Sequence, residues 1–228
     1  MQTGQLVGSG RSAEVFALDE GCVVRRYRRG GDTETEAAVM AHLSTNGFPV
    51  PVVRRPVPSP SELVMQRLSG VTMLQAWMDG AITEEDAAAV LARLLHQLHA
   101  VPARLSVRPG DRILHLDLHP ENVVLTPQGP VVIDWTTTAE GPPGLDWAMS
   151  ALILAQVAVD PSIPVASGAR SMLTVLMGNL DYAGELGDVP TEHLVQAKAR
   201  RAADPHLSAQ ELGLLDQAAD LVRDLARS

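Results

Sequence analysis

The chain has 228 residues, 46% hydrophobic and 20% charged, so it can bury one large core or two lobes and is not intrinsically disordered. A net charge of −9 argues against a nucleic-acid partner, which would need a basic face, and favours a cationic small molecule through steering. The single Cys22 excludes an internal disulfide, and with no leader after Met1-Gln2-Thr3-Gly4 and no apolar run of about 18 residues, a cytoplasmic protein with no membrane partner is expected.

Leu6-Val7, the run ending at Leu18 and Cys22–Tyr27 read as three antiparallel strands separated by Gly-rich turns, Gly8-Ser9-Gly10 first and Glu20-Gly21 second. Asp32 or Thr33 caps a helix to about Ser44, with Ala37, Ala38, Met40, Ala41 and Leu43 on its apolar side. Asn46–Pro51 ends it. Val52–Val57 and Glu62–Arg67 then read as strands joined by Pro58–Ser61, giving a sheet of about five strands. From Thr72 the period becomes helical. Thr72 caps a short helix through Met78, and Thr83 with Asp86 has capping-box spacing for a long one. Ala87, Val90, Leu91, Leu94, Leu95 and Leu98 form the apolar stripe of that helix, and His99 continues it as an expected hydrogen-bonded core histidine. Pro102 stops the helix, and Val107–Asp111 is a loop.

The stretch His115–Trp135 follows, HLDLHPENVVLTPQGPVVIDW. Two apolar runs, Val123–Leu125 and Val131–Ile133, read as the arms of a hairpin turned through Thr126–Pro130. Such a hairpin brings Asn122, just before its first arm, near Asp134, just after its second. Two oxygen ligands of this kind suit a hard cation such as Mg²⁺ bridging phosphates. Asp117 sits one loop earlier, where a carboxylate can meet a substrate hydroxyl. The alternation of His115, Asp117 and His119 also fits a metallohydrolase, because His is a common metal ligand.

The pattern H-x-D-L-H-P-x-N-V followed by V-I-D-W resembles the aminoglycoside phosphotransferase and choline kinase-like superfamily of small-molecule kinases. The resemblance is specific between His115 and Trp135 and extends more loosely over almost the whole chain. It implies an α+β, two-lobed protein-kinase-like fold, with a small antiparallel sheet and helix over residues 1–69 and a mainly helical lobe over residues 70–228. It further implies ATP and Mg²⁺ as cofactors and a hydroxylated small molecule, aminoglycoside-, choline- or sugar-like, as acceptor. Asp117 resembles the catalytic base, Asn122 and Asp134 the metal ligands, and His115 a brace for the loop. Gly8, Ser9 and Gly10 would cover the phosphates, glycine letting backbone N–H groups approach the oxygens. Arg25 falls where such kinases carry a strand lysine, with Arg26 as the alternative if the register slips by one. Glu36, or else Glu34, would be the helix acid that pairs with it. Backbone groups of Gln66 to Leu68 would meet the adenine edge, and Asp146 would brace the catalytic loop.

Only about ten residues separate Asp134 from Asp146, too few for a long regulated loop. Leu145 to Val159, Gly168 to Tyr182, Thr191 to Ala203 and Ser208 to Ala226 read as helices, the last opened by a capping box at Ser208 and Glu211. Ala13 in place of a third glycine, Arg25 in place of lysine and the short second lobe leave a nucleotide-binding pseudokinase as the second reading. Oligomeric state has no signature in the sequence.

Overall fold

A computed structural model describes residues 4–10, 12–28, 30–54, 61–179 and 191–227. Short runs that each carry at least one Val form β1 (Leu6–Ser9), β2 (Ala13–Ala17), β3 (Cys22–Tyr27) and β4 (Glu62–Gln66). They pair in that order as a four-stranded antiparallel sheet. The strand expected over Val52–Val57 is a correction: among the described residues only Val53 forms a bridge, to Met65, while residues 55–60 lie outside them. Pro49 and Pro51 bring no N–H donor to a ladder; the described part of the segment is tied to β4 by Arg54 N–H to Val64 O and Gln66 N–H to Val52 O, each 2.8 Å, and by Val52 N–H to Gln66 Oε1 at 3.3 Å.

Helix α1 (Thr33–Thr45) starts where the Asp32 carboxylate accepts from the Thr35 N–H at 2.9 Å. Its buried face carries Ala37, Val39, Met40 and Leu43, and it packs against β4.

The chain then forms β5 (Val71–Thr72), α2 (Met73–Met78), α3 (Glu84–His99) and β6 (Arg112–Leu114). After a 3-10 turn at Pro120–Asn122 come β7 (Val123–Thr126), β8 (Gly129–Val132) and β9 (Ala139–Gly141). The hairpin read in the sequence is β7–β8, which with β5 makes a three-stranded sheet; β6 pairs with β9. The remainder is helical: α4 (Pro143–Val159), α5 (Ala166–Gly178), α6 (Thr191–Ala202), α7 (Ala209–Gly213) and α8 (Leu215–Leu225). Helix α5 ends at Gly178, and residues 180–182 of the expected helix lie outside the described residues. The helix expected from Ser208 to Ala226 is broken at Leu214, directly after Gly213, the weakest helix former in the run. Its capping box, Ser208 with Glu211, is formed.

Two compact units result: residues up to Val71 together with Val124–Thr138, and Thr72–Val123 together with Ala139 to the end. In the first, Leu43, Leu63, Val24, Phe48 and Trp135 are buried, with the Phe48 and Trp135 rings edge to face at 5.8 Å. In the second, α4 is the central helix. Its residues Gly144 to Gln156 are all buried, and it packs against α5, α6 and α8. The α+β class expected from the sequence is the class observed.

Gly70 is required by geometry, because it holds φ +155° and a Cβ there would lie 2.1 Å from the Leu125 carbonyl oxygen. Gly70→Ala is expected to cost more than about 1 kcal/mol, read as a lowered urea midpoint. A midpoint equal to that of the wild type would show that the approach relaxes without penalty.

Candidate active site

In the first unit, strand alternation sends Arg25 inward and Arg26 outward. Arg25 is buried, 6% exposed; its Nη1 meets Glu36 Oε1 at 3.2 Å and its Nη2 meets Asp134 Oδ1 at 2.6 Å. Arg26 pairs instead with Glu62 at 2.8 Å. Glu36 is 4% exposed on the inner face of α1, whereas Glu34 is exposed. Of the pairs left open by the sequence, Arg25 and Glu36 are therefore the ones that the fold joins, and Asp134 joins them. Tyr27, on the same strand face, lies under the Arg25 guanidinium at 5.2 Å.

Asp134 has φ 64°, a costly conformation for a residue with a Cβ. What holds it is local. Thr136 Oγ1 donates to Asp134 Oδ1 at 2.6 Å, and the next residue, Trp135, is fully buried with its Nε1–H bonded to Val132 O at 3.1 Å. Two carboxylates thus face one guanidinium. Burial pushes the Glu36 carboxyl up to about 7, Arg25 opposes that rise, and the nearby Asp134 charge adds to it.

Gly8 and Ser9, expected in the turn, instead end β1, paired with Val15 and Glu14 of β2; Gly10 follows the strand, its N–H bonded to Ala13 O at 2.9 Å, and Ser9 Oγ accepts from Arg28 at 2.9 Å. Arg11 lies outside the described residues. Gln66 and Leu68 border a cleft of about 450 Å³ with Arg67, Ser69, the Thr126–Gln128 turn and Val131.

In the second unit, the loop after β6 carries Asp117. Its anchor is Asp146, fully buried on the first turn of α4, whose Oδ2 accepts from the His115 N–H at 2.9 Å and whose Oδ1 accepts from the Leu116 N–H at 2.7 Å. His99 Nε2 lies 3.1 Å from the same Oδ2, so the core histidine expected on the α3 stripe is hydrogen-bonded. Burial alone would raise the Asp146 carboxyl, but the bond to His99 and the contacts with His115 hold it below the ordinary carboxylate value. Leu116, which carries the second of these anchored N–H groups, takes φ 63°. His115 is fully buried and its Nδ1 accepts from the Asp117 N–H at 3.2 Å, so it braces the loop.

The Asn122 amide nitrogen donates to Asp117 O at 2.8 Å and to Asp117 Oδ2 at 3.1 Å, and lies 3.2 Å from His119 Nε2. All three contacts use the nitrogen, and none uses the carbonyl oxygen. His119 opens the 3-10 turn that carries Asn122, its Nδ1 accepting from Glu121 N–H at 3.4 Å. Burial acts to raise the Asp117 carboxyl, and His119, His115 and Arg201 outweigh it, keeping the group ionised at neutral pH. Among the described residues no group of three or more His, Cys, Asp or Glu side chains is arranged to hold a metal, so His115, Asp117 and His119 do not converge as a ligand triad.

Sequence reasoning missed Arg201 of α6. Its Nη1 lies 3.8 Å from Asp117 Oδ1, and its Nε donates to the buried Gln156 of α4 at 2.9 Å. No motif marks it: it is one basic residue on an amphipathic helix far along the chain.

The model of the phosphotransferase enzyme family matches residues 3–112 and 105–168. Among solved structures, the aminoglycoside phosphotransferase APH(4)-Ia is 15% identical with a TM-score of 0.65, over 98% of this chain and 92% of that one. A thermostable mutant of the same enzyme, in a ternary complex with ADP and hygromycin B, gives 12% and 0.64 over the same shares. The streptomycin–ATP–APH(2")-IIa ternary complex gives 15% and 0.58, over 97% and 95%. No curated protein matches. At these identities the structural likeness establishes the fold.

Glu36 generates a pH test. Because its folded value is raised, its contribution to stability is complete below the ordinary 4.5 and is lost as pH rises through about 7. Glu36→Gln is expected to flatten the decline in melting temperature between about pH 5 and about pH 8. An equally steep decline in the variant would place the titration elsewhere.

Proposed function

The chain belongs to the phosphotransferase enzyme family, and from that premise we propose that it transfers the γ-phosphoryl group of ATP to a hydroxyl of a small molecule, with Asp117 as base and Mg²⁺ held by Asn122 and Asp134. The observation that carries the reading is the placing of Asp117: a carboxylate on a loop pinned by Asp146, with Asn122 fixing one of its oxygens. An ionised Asp orients an acceptor hydroxyl and takes its proton as the oxygen bonds to phosphorus.

The donor set fits the metal. Asp134 offers a carboxylate and Asn122 an amide oxygen that its three neighbouring contacts leave unused, both hard ligands of the kind Mg²⁺ selects. When bound, the ion neutralises charge on the phosphate oxygens. Arg25 is assigned to the α- and β-phosphates, with Glu36 orienting it through their 3.2 Å pair. Arginine keeps the cation of the usual lysine and adds a planar fork suited to phosphate oxygens. The 2.6 Å bond of Arg25 to Asp134 Oδ1 sets the proposed phosphate cation beside the proposed metal ligand. Gly8 to Gly10 are assigned to the phosphates and the Gln66–Leu68 backbone to the base.

Asp117→Asn keeps the shape of the side chain and removes its basicity. Turnover of any accepted hydroxyl compound, followed by transfer of labelled γ-phosphate, is expected to fall about 100- to 10,000-fold, with nucleotide binding retained. Unchanged turnover would remove Asp117 from the mechanism.

A further inference from the structure

We propose that a cavity of the first unit, formed by the end of β3, the start of α1 and the loop after Trp135, binds the ammonium group of a small primary amine, a ligand beyond those that phosphoryl transfer needs. The cavity measures about 320 Å³, and Ser12, Tyr27, Gly31, Asp32, Glu36 and Trp135 are among the residues that line it. That is roughly tenfold the share of one water molecule in the liquid, so a lone buried water does not fill it. It matches the lower end of small-molecule sites.

The observation that points to a ligand is the Tyr27 hydroxyl. Tyr27 is 6% exposed, yet its Oη has no hydrogen-bond partner, whereas buried polar groups as a rule have one. The ring is held in place. The Arg25 guanidinium lies over it at 5.2 Å from the centroid, and Gly31 packs so closely that a Cβ there would come within 2.7 Å of Tyr27 Cδ1. The second orphan is on Glu36, 4% exposed, whose Oε1 meets Arg25 at 3.2 Å. The Trp135 backbone N–H favours the ionised form of this carboxyl, but Oε2 accepts no hydrogen bond. Glu36 lines the cavity and Arg25 does not.

What the lining offers is acceptors. Asp32 adds a second carboxylate, held below its ordinary value by the bonds from Thr35, and no Lys, Arg or His lines the cavity among the described residues. A ligand that donates to Tyr27 Oη and Glu36 Oε2 and brings positive charge is a primary ammonium, with three N–H donors. Tyr27 and Trp135 give aromatic wall to the carbon chain that carries it. A bare metal ion fits less well, because a hard cation takes about six oxygens or more and no group of three or more His, Cys, Asp or Glu side chains is arranged for one among the described residues. An anion would face two carboxylates. Repulsion from Arg25 is limited, since that guanidinium is already balanced by Glu36 and Asp134. The occupant shares Glu36 with Arg25, which makes the cavity an effector site for that pair.

The experiment titrates the isotope-labelled full chain, wild type and Tyr27→Phe, with n-butylammonium chloride, butanol and tetramethylammonium chloride at constant ionic strength, following the backbone amide resonances of Gly30, Gly31 and Thr35. Butylammonium is expected to shift them saturably in the wild type, with a dissociation constant of about 1 mM or below. Butanol, which lacks the charge, and tetramethylammonium, which lacks the N–H donors, are expected to leave them in place. Tyr27→Phe is expected to weaken butylammonium binding about 10- to 100-fold. The variant is also expected to melt no lower than the wild type without ligand, because the hydroxyl that it loses has no partner. No saturable shift, an equal response to butanol or tetramethylammonium, undiminished affinity in Tyr27→Phe, or a lower melting temperature of the free variant would overturn the proposal. No nucleotide enters the titration, so its result stands apart from the phosphotransfer reading.

Discussion

The second unit depends on one carboxylate. Asp146 is fully buried at the start of α4, and its two oxygens gather the N–H groups of His115 and Leu116 and the ring of His99. A charge removed from water is tolerated only when its acceptor sites are filled, and here consecutive backbone donors fill them. The same bonds force Leu116 through φ 63°, which turns the next residue, Asp117, out of the strand direction of β6. The carboxylate proposed as base is thus placed by a second, fully buried carboxylate.

The first unit solves a parallel problem with a different device. Asp134 also holds a positive φ, 64°, and its neighbour Trp135 is locked in the core by Phe48 and by the Val132 carbonyl. Arg25 ties Asp134 to Glu36 of α1, so strand, helix and loop meet at one guanidinium. Leu116 and Asp134 are the two non-glycine residues with positive φ among the described residues, and each is at or next to a group with a proposed chemical role. Strain of about 1–3 kcal/mol persists only where the surroundings over-determine it.

Much of this was legible in the sequence because it is local. The hairpin after Asn122, the caps at Asp32, Thr72 and Ser208, and the inward face of β3 follow from turn residues, side-chain acceptors and a period of two. The family resemblance supplied the partners of Arg25 and Asp146. What remained hidden was non-local or conformational. The pairing of β6 with β9 joins two segments with no strand pattern of their own, and the break at Leu214 interrupts a periodic run. The proximity of Arg201 to Asp117 depends on how α6 lies on α4, through Gln156. No spacing rule encodes that.

Asp134 is proposed to hold a metal on which nucleotide binding depends, and calorimetric and thermal-shift titration of ATP with and without Mg²⁺, on the wild type and on Asp134→Asn, puts that to the test. At 100 times the dissociation constant a ligand adds about 2.7 kcal/mol, which for a chain of this size raises the melting temperature by roughly 5–10 °C. The predicted result is a magnesium-dependent rise in the wild type that is lost in Asp134→Asn. A rise of the same size in both proteins, or none in the wild type, would contradict it.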